Sequence, residues 1–201
     1  MPISSKENIP SSFRVFLSNP VPDDEQEFLA AVLRSESLHH PWVFPPCTHE
    51  QYEDYLERIR GGRTIGHLVR RKSDDRLAGM INVNEPVMGV FQSAYLGFNA
   101  FAGCARQGYM TEGLALVLDR AFNELGFHRL EANIQPGNSA SSGLVAAIGF
   151  RKEGFSPRYL MIDGAWRDHD RWAILSDEWP AHRDRLFDSR TRDRRQSQDA
   201  K

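Results

Sequence analysis

A polar loop that carries a glycine and runs straight into a strongly periodic helix constrains this chain more than any other segment. Tyr95-Leu96-Gly97-Phe98-Asn99 reads as a strand, and Ala105-Arg106-Gln107-Gly108-Tyr109-Met110-Thr111-Glu112 as the loop and the start of the helix. Leu114, Val117, Leu118, Ala121, Phe122 and Leu125 then recur at helical spacing as one apolar stripe, with Gly126 as the expected cap. The first turn of such a helix has backbone N–H groups without internal partners, and the helix dipole adds partial positive charge there. Arg106 contributes a full charge and Thr111 a hydroxyl donor. A helix start built this way suits a phosphate or pyrophosphate.

The surrounding pattern predicts one mixed α/β (α+β) domain. Phe13 to Leu17 is a first strand, Asp24 to Glu27 a capping-box-like helix start, and Phe28, Leu29, Val32 and Leu33 that helix's buried face. The proline- and aromatic-rich segment Leu38 to Pro46 reads as a loop. Thr48 with Gln51 opens a second helix with the stripe Tyr52, Tyr55, Leu56 and Ile59, ended by Gly61-Gly62. Thr64 to Arg70 and Leu77 to Val83 alternate as a hairpin around Ser73-Asp74-Asp75, and Phe91 to Phe98 follows a turn at Pro86–Gly89. After the helix from Gly108 come a strand from Arg129 to Gln135, a short helix capped by Asn138 and stopped by Gly149, and two strands, Phe155 to Ile162 and Trp166 to Leu175, that turn at Asp163-Gly164. This order predicts one central mixed sheet, mostly antiparallel, with helices on both faces.

Composition narrows the function classes. The 201 residues are 40% apolar and 26% charged with a net charge of −2, so no global field favours nucleic acid or an anionic membrane. Cys47 and Cys104 lack metal-ligand spacing and read as thiols in a reducing compartment. No apolar run approaches the ~20 residues of a membrane span, and residues 1–12 read as a loose polar start without a leader. Together these place the protein in the cytoplasm. Residues from about 176 read as a last helix or extension, and 181–201 as a charged C-terminal extension, its arginines solvated or in contact with an acidic partner such as ribosomal RNA.

Taken in order, several segments resemble the GNAT-type acyl-CoA-dependent N-acetyltransferases, and within them the RimJ/RimL branch that acetylates protein N-termini. They are Tyr95-Leu96-Gly97-Phe98, Gly108-Tyr109-Met110-Thr111-Glu112, His128-Arg129-Leu130-Glu131-Ala132-Asn133, Asn138-Ser139-Ala140-Ser141 and Ile148-Gly149-Phe150-Arg151-Lys152-Glu153-Gly154. The hairpin Leu160 to His169 is particularly similar to the RimJ side. The resemblance spans about residues 13 to 180. It implies a GNAT fold, acetyl-CoA as acyl donor, no metal, and direct attack by a primary amine in a ternary complex. The family's acyl-CoA motif reads Q/R-x-x-G-x-G/A; here Ala105 stands at its first position, Arg106 carries charge one place along, and Met110 occupies the small-residue site.

The resemblance also implies roles for particular residues. Arg106, Gln107, Gly108, Tyr109, Met110 and Thr111 would cradle the pyrophosphate, and the acyl arm would lie along the strand end at Phe98-Asn99, where neighbouring parallel strands splay. Asn138 would bond the pantetheine arm, cap its helix, or do both. Ser141 would protonate the departing thiolate or serve as a local backbone partner. An α-amine has a pKa of about 8, so supplying its neutral form at pH 7 costs only about 1.4 kcal/mol, and a carboxylate acting through water suffices as base. Glu131 is the leading candidate, against a salt-bridged glutamate. Trp42, Phe44 and Tyr159 line the acceptor groove or belong to the core. Asp168 and Asp170 share one strand face, where they would attract a cation or simply sit in solvent, and His39, His40 and His169 suit structural or acceptor-site roles better than zinc. The inherited acceptor is a protein N-terminus such as that of a ribosomal protein, with a homodimer compatible. A small amine (polyamine, antibiotic or amino acid) keeps the chemistry; a non-catalytic acyl-CoA-binding protein does not.

Overall fold

Neighbouring residues on a strand point to opposite faces of a sheet, and that rule sorts the core. In β2 (Thr64–Arg71) Leu68 packs into one apolar cluster and Val69 into another; in β3 (Leu77–Val87) Met80 and Ile81 divide the same way. The computed structural model describes residues 13–187. The expected loose start at 1–12 and the arginine tail from 188 lie outside the described residues.

The strands form one seven-stranded sheet in the order β1-β2-β3-β4-β5-β7-β6. It includes β1 (Val15–Ser18), β4 (Ser93–Ala100), β5 (Arg129–Ile134), β6 (Arg151–Ile162) and β7 (Ala165–Leu175). Every neighbouring pair is antiparallel except β4–β5, which is parallel. Helices α1 (Glu25–Arg34), α2 (Glu36–His39) and α3 (His49–Arg60) cover one face, where Phe28, Tyr52, Tyr55 and Leu56 meet Leu68, Met80 and Phe101. On the other face α4 (Tyr109–Asn123) and α5 (Ser139–Ile148) bury Leu114, Val117, Leu118, Val145 and Ile148 with Val69, Ile81 and Val83.

Local signals act as their chemistry dictates. Thr48 caps α3 by accepting from the Gln51 N–H at 3.3 Å, and Gly149 ends α5 at φ +117. The hairpin β6–β7 turns through Asp163 and Gly164, both at positive φ.

The structure also departs from the sequence expectation in several places. α2 follows α1 after Ser35 alone and carries Leu38 and His39 of the segment expected as loop; Ser35 Oγ at the junction donates to the Ala31 carbonyl (2.6 Å) and accepts from the Ala102 N–H (2.8 Å). Leu33, expected in the core, is 63% exposed. β3 continues through Pro86 because its pairing with β4 shifts register between Asn84 and Val87, with Glu85 at φ +47, which frees the proline from a ladder bond. β6 starts at Arg151, whose partner is Ala173, rather than at Phe155. The segment from about 176, expected as a last helix or an extension, is helical over 179–187 and docks: Trp179 is buried, Arg183 pairs with Asp119 at 2.7 Å, and Phe187 meets Phe13 edge-on at 4.8 Å.

Candidate active site

The loop before α4 presents a run of free amides. Arg106 takes φ +59 and Gly108 φ +79, a left-handed conformation that only glycine adopts without strain. The first helical bond runs from the Glu112 N–H to the Gly108 carbonyl at 3.2 Å, and the N–H groups from 106 to 111 reach no acceptor among the described residues. Such a concave run of donors at a helix start, with Arg106 beside it, matches an anionic diphosphate. The loop is braced from behind. Gln107 Nε2 donates to the Gly103 carbonyl (2.6 Å), while the Gln107 carbonyl accepts from Arg14 Nη2 (2.7 Å). Arg14 also lies over the Tyr109 ring at 4.6 Å and binds the buried Glu112 carboxylate through Nε at 2.8 Å. Met110 turns inward and packs against Gly79 of β3, whose missing side chain makes room for it. Nothing in the sequence segment around Arg14 announced this bracing role.

The strands diverge as expected. The parallel ladder runs from Ser93 opposite Arg129 to Leu96 opposite Ala132 and stops. Beyond it β4 stays with β3 as far as Ala100, and β5 stays with β7 as far as Ile134 opposite Asp170. A cavity of about 510 Å³ opens at the fork, lined by Phe98, Asn133, Asn138, Ser141, Tyr159 and His169, with Trp42 at its wall. Asn138 Oδ1 accepts from the Ser141 N–H at 3.1 Å, so its oxygen caps α5 and its amide nitrogen is left for another acceptor. The Ser141 hydroxyl bonds to no group among the described residues. Asn133 Oδ1 is buried without a hydrogen-bond donor. Trp42 is tied in place by its carbonyl, which accepts from Gln135 Nε2 at 2.9 Å. Burial, then a hydrogen bond with Tyr95, pushes the Tyr159 hydroxyl above its ordinary pKa.

Glu131 does not reach this cavity. One carboxylate oxygen accepts from Arg129 Nε at 2.8 Å and the other from Arg171 Nη2 at 2.6 Å, so both oxygens are held by guanidinium groups. Glu131 is thus ion-paired to Arg129 and Arg171, and Arg129, two residues earlier on the same strand face, was the available signal of that pairing. Asp168 and Asp170 are engaged too: Asp168 accepts from the Arg158 N–H at 2.7 Å and Asp170 pairs with Lys152 at 2.7 Å. The opposite face of β7 is the one that meets the cavity, through His169.

A larger cavity of about 690 Å³ lies on the side of α1 to α3 and shares Gly97, Phe98, Asn84 and Arg58 with the first. Asn99, Phe44, Glu36 and Asp54 line it. His39 sits at its edge, with Nε2 2.8 Å from the Ala100 carbonyl, and burial lowers its pKa. Among the described residues no group of histidine, cysteine or carboxylate side chains is arranged to hold a metal, and no helix is long and apolar enough to cross a membrane.

Residues 14–151 match the acetyltransferase (GNAT) domain family. The chain belongs to the GNAT acetyltransferases. It is 36% identical over 123 residues to the probable N-acetyltransferase YjcK of Bacillus subtilis, an alignment covering 61% of this chain and 68% of that protein. It is 35% identical over 106 residues to the [ribosomal protein uS5]-alanine N-acetyltransferase of Escherichia coli, covering 53% of this chain and 55% of the relative, about half its length. Among solved structures, Mycobacterium smegmatis RimJ in complex with CoA-disulfide superposes with a TM-score of 0.75 at 28% identity, covering 86% of this chain and 88% of that one. This GNAT protein is thus an acyl-CoA-dependent N-acetyltransferase with acetyl-CoA as the expected donor, and the free amides at 106–111 together with the open strand fork fit that donor.

Proposed function

We propose that this enzyme acetylates the α-amine of a protein N-terminus by direct attack within a ternary complex. The observation that carries the reading is the fork between β4 and β5: backbone groups freed at Phe98–Asn99 and Asn133–Ile134 stand beside Asn138 and Ser141, and the opening continues past Phe98 into the larger cavity. An extended chain end can lie along such an edge, with Trp42 and Tyr159 as aromatic walls. The identity with the uS5-alanine N-acetyltransferase supports a ribosomal protein as the acceptor.

Acetyl-CoA, when bound, supplies an acetyl group activated as a thioester. The amides of Arg106 to Thr111 would hold its diphosphate, and the Asn138 side-chain amide would bond the pantetheine arm. Free backbone N–H groups at the fork would polarise the thioester carbonyl. Ser141 Oγ would hold a proton for the departing sulfur.

A second acceptor class is favoured by one observation: Glu36 and Asp54 on the wall of the larger cavity suit a small polycation such as a polyamine. Peptides beginning Ala-Ser and a panel of polyamines, incubated with acetyl-CoA and followed by mass spectrometry and thiol release, separate the two. Acetylated peptide termini support the proposal. Reaction of polyamines alone replaces it with the second reading. A rise in melting temperature with acetyl-CoA but no thiol release from any amine makes the protein an acyl-CoA binder rather than an enzyme.

A further inference from the structure

Among the described residues, no carboxylate lines the fork cavity. Its titratable lining is Arg58 from α3, Tyr95 from β4, Tyr159 from β6 and His169 from β7. At neutral pH an arginine is protonated and a tyrosine keeps its phenolic proton, which leaves the imidazole as the basic group within the walls. His169 is 3% exposed. Its Nδ1 lies 3.0 Å from the Arg167 carbonyl, which can only accept, so Nδ1 carries the hydrogen and Nε2 carries the lone pair. That nitrogen has no protein partner among the described residues, in a side chain held edge-on against the Tyr159 ring at 6.0 Å. A backbone-oriented imidazole with its second nitrogen open to a cavity is the arrangement of a general base.

On the acetyl-transfer reading, on which this rests, we infer that His169 is the general base that takes the proton from the acceptor amine as it attacks. The amine nitrogen forms the new C–N bond to the acyl carbon and, made acidic by that bond, gives one proton to His169 Nε2. The C–S bond breaks with its electron pair on sulfur, and the sulfur takes a proton from Ser141 Oγ. Ser141 regains one from solvent, and His169 returns its own to solvent. One neutral amine and one thioester become one amide and one thiol. Asn133 Oδ1, buried in the same cavity without a donor, is a second acceptor suited to the N–H that the amine retains.

The groups facing His169 are Asp168 beside it on β7, Tyr159 from β6 with Arg171 over that ring at 4.9 Å, Tyr95 from β4, and Arg58 across the cavity. Burial outweighs the bond to the Arg167 carbonyl and the nearby Asp168 carboxylate, so the imidazole titrates below its ordinary value and stays neutral at pH 7.

The experiment compares wild type, His169→Ala, His169→Gln and Glu131→Gln, with kcat and KM measured across pH. Intact fold is checked by melting temperature with and without coenzyme A. Both His169 variants are expected to lose about 100-fold in kcat, with KM for acetyl-CoA unchanged, and to lose the acid limb that wild type shows below its imidazole pKa. Imidazole added to solution should restore part of the rate to His169→Ala but not to His169→Gln, whose side chain fills the space. Glu131→Gln should retain the acid limb. The inference is overturned if His169→Gln, folded, turns over at the wild-type rate, or if the acid limb survives in it. Loss of the limb in Glu131→Gln instead would return the base to the carboxylate. Wild-type protein that acetylates no amine removes the acetyl-transfer reading itself, whereas wild-type turnover with unaltered His169 variants removes only this assignment.

Discussion

Met110 at the start of α4 lies across Gly79 of β3, and the two fit only because position 79 carries no side chain. A Cβ there would collide with Met110 Sδ and come within 2.5 Å of the Asn99 carbonyl oxygen. The bulky residue at the small-residue site of the coenzyme motif is therefore accommodated by the sheet beneath it, and the amide loop keeps its shape. Gly79→Ala should destabilise the protein by about 1–3 kcal/mol, the usual cost of overpacking, and weaken coenzyme A binding as the helix start is pushed away. In a double-mutant cycle with Met110→Ala, part of the Gly79→Ala cost should be returned because the sulfur clash is gone. Strictly additive losses in urea denaturation would show that the two positions do not couple.

Arg14 ties the first strand to the coenzyme loop. Its backbone N–H donates to Glu112 Oε2 at 2.6 Å, its side chain pairs with the same carboxylate at 2.7 Å, and its Nη2 holds the Gln107 carbonyl. Glu112 is 1% exposed, so removal of the guanidinium leaves a buried carboxylate with less compensation. Arg14→Ala should cost about 2 kcal/mol, below the full penalty of a broken buried pair because the Arg14 side chain is 39% exposed and its backbone donor remains. Calorimetry should show weaker coenzyme A binding. Binding at wild-type strength in the folded variant would mean that the loop holds its conformation without Arg14.

What was legible in the sequence follows from the range of each interaction. The stripe of α4, the cap by Asn138 and the turn at Asp163-Gly164 are set by residues within a few positions of one another, and periodicity or turn chemistry exposes them. The fork was anticipated from the family resemblance, since no local pattern marks Gly97 as the first residue beyond the ladder. Arg14 reaches Gln107 across 93 positions and Arg171 reaches Glu131 across 40, so only the strand order reveals that one braces the loop and the other occupies the expected base. His169 was visible as a histidine. Its importance depends on which face of β7 meets the cavity, and the flanking aspartates drew the reading to the other face. The helix at 179–187 was left open as a helix or an extension, because its buried contribution comes from a few apolar residues among the arginines, Trp179, Leu186 and Phe187.

Asn138 and Ser141 should separate in their effects although one hydrogen bond joins them. Asn138→Ala removes the helix cap, a loss of about 1 kcal/mol, and also the amide nitrogen offered to the pantetheine arm, so both melting temperature and coenzyme affinity should fall. Ser141→Ala removes a hydroxyl that bonds nothing else in the described protein, so stability and coenzyme affinity should hold while kcat drops. An unchanged kcat would restrict Ser141 to donating its backbone N–H to Asn138.

His67 makes the fold sensitive to acid. It is fully buried on β2, with Nδ1 3.2 Å from the Ile81 carbonyl and Nε2 3.0 Å from Arg120 Nη1, an arrangement that fixes Nδ1–H as donor and Nε2 as acceptor. A proton on Nε2 would break the bond from Arg120 and place two cations together. Burial first, then the Arg120 charge, lowers its pKa to about 3, whereas the unfolded chain titrates at 6.5. Between those values the unfolded state binds a proton that the native state does not, so stability is intact above pH 6.5 and declines as pH falls toward 3. At pH 5 the cost is about 2 kcal/mol. His67→Gln lowers stability at pH 7 by disturbing the same bonds, but its stability should fall less on acidification, and the gap between variant and wild type should narrow by about that amount from pH 7 to pH 5. Urea titrations at the two pH values measure it; a gap that stays constant would mean that His67 takes up its proton without unfolding.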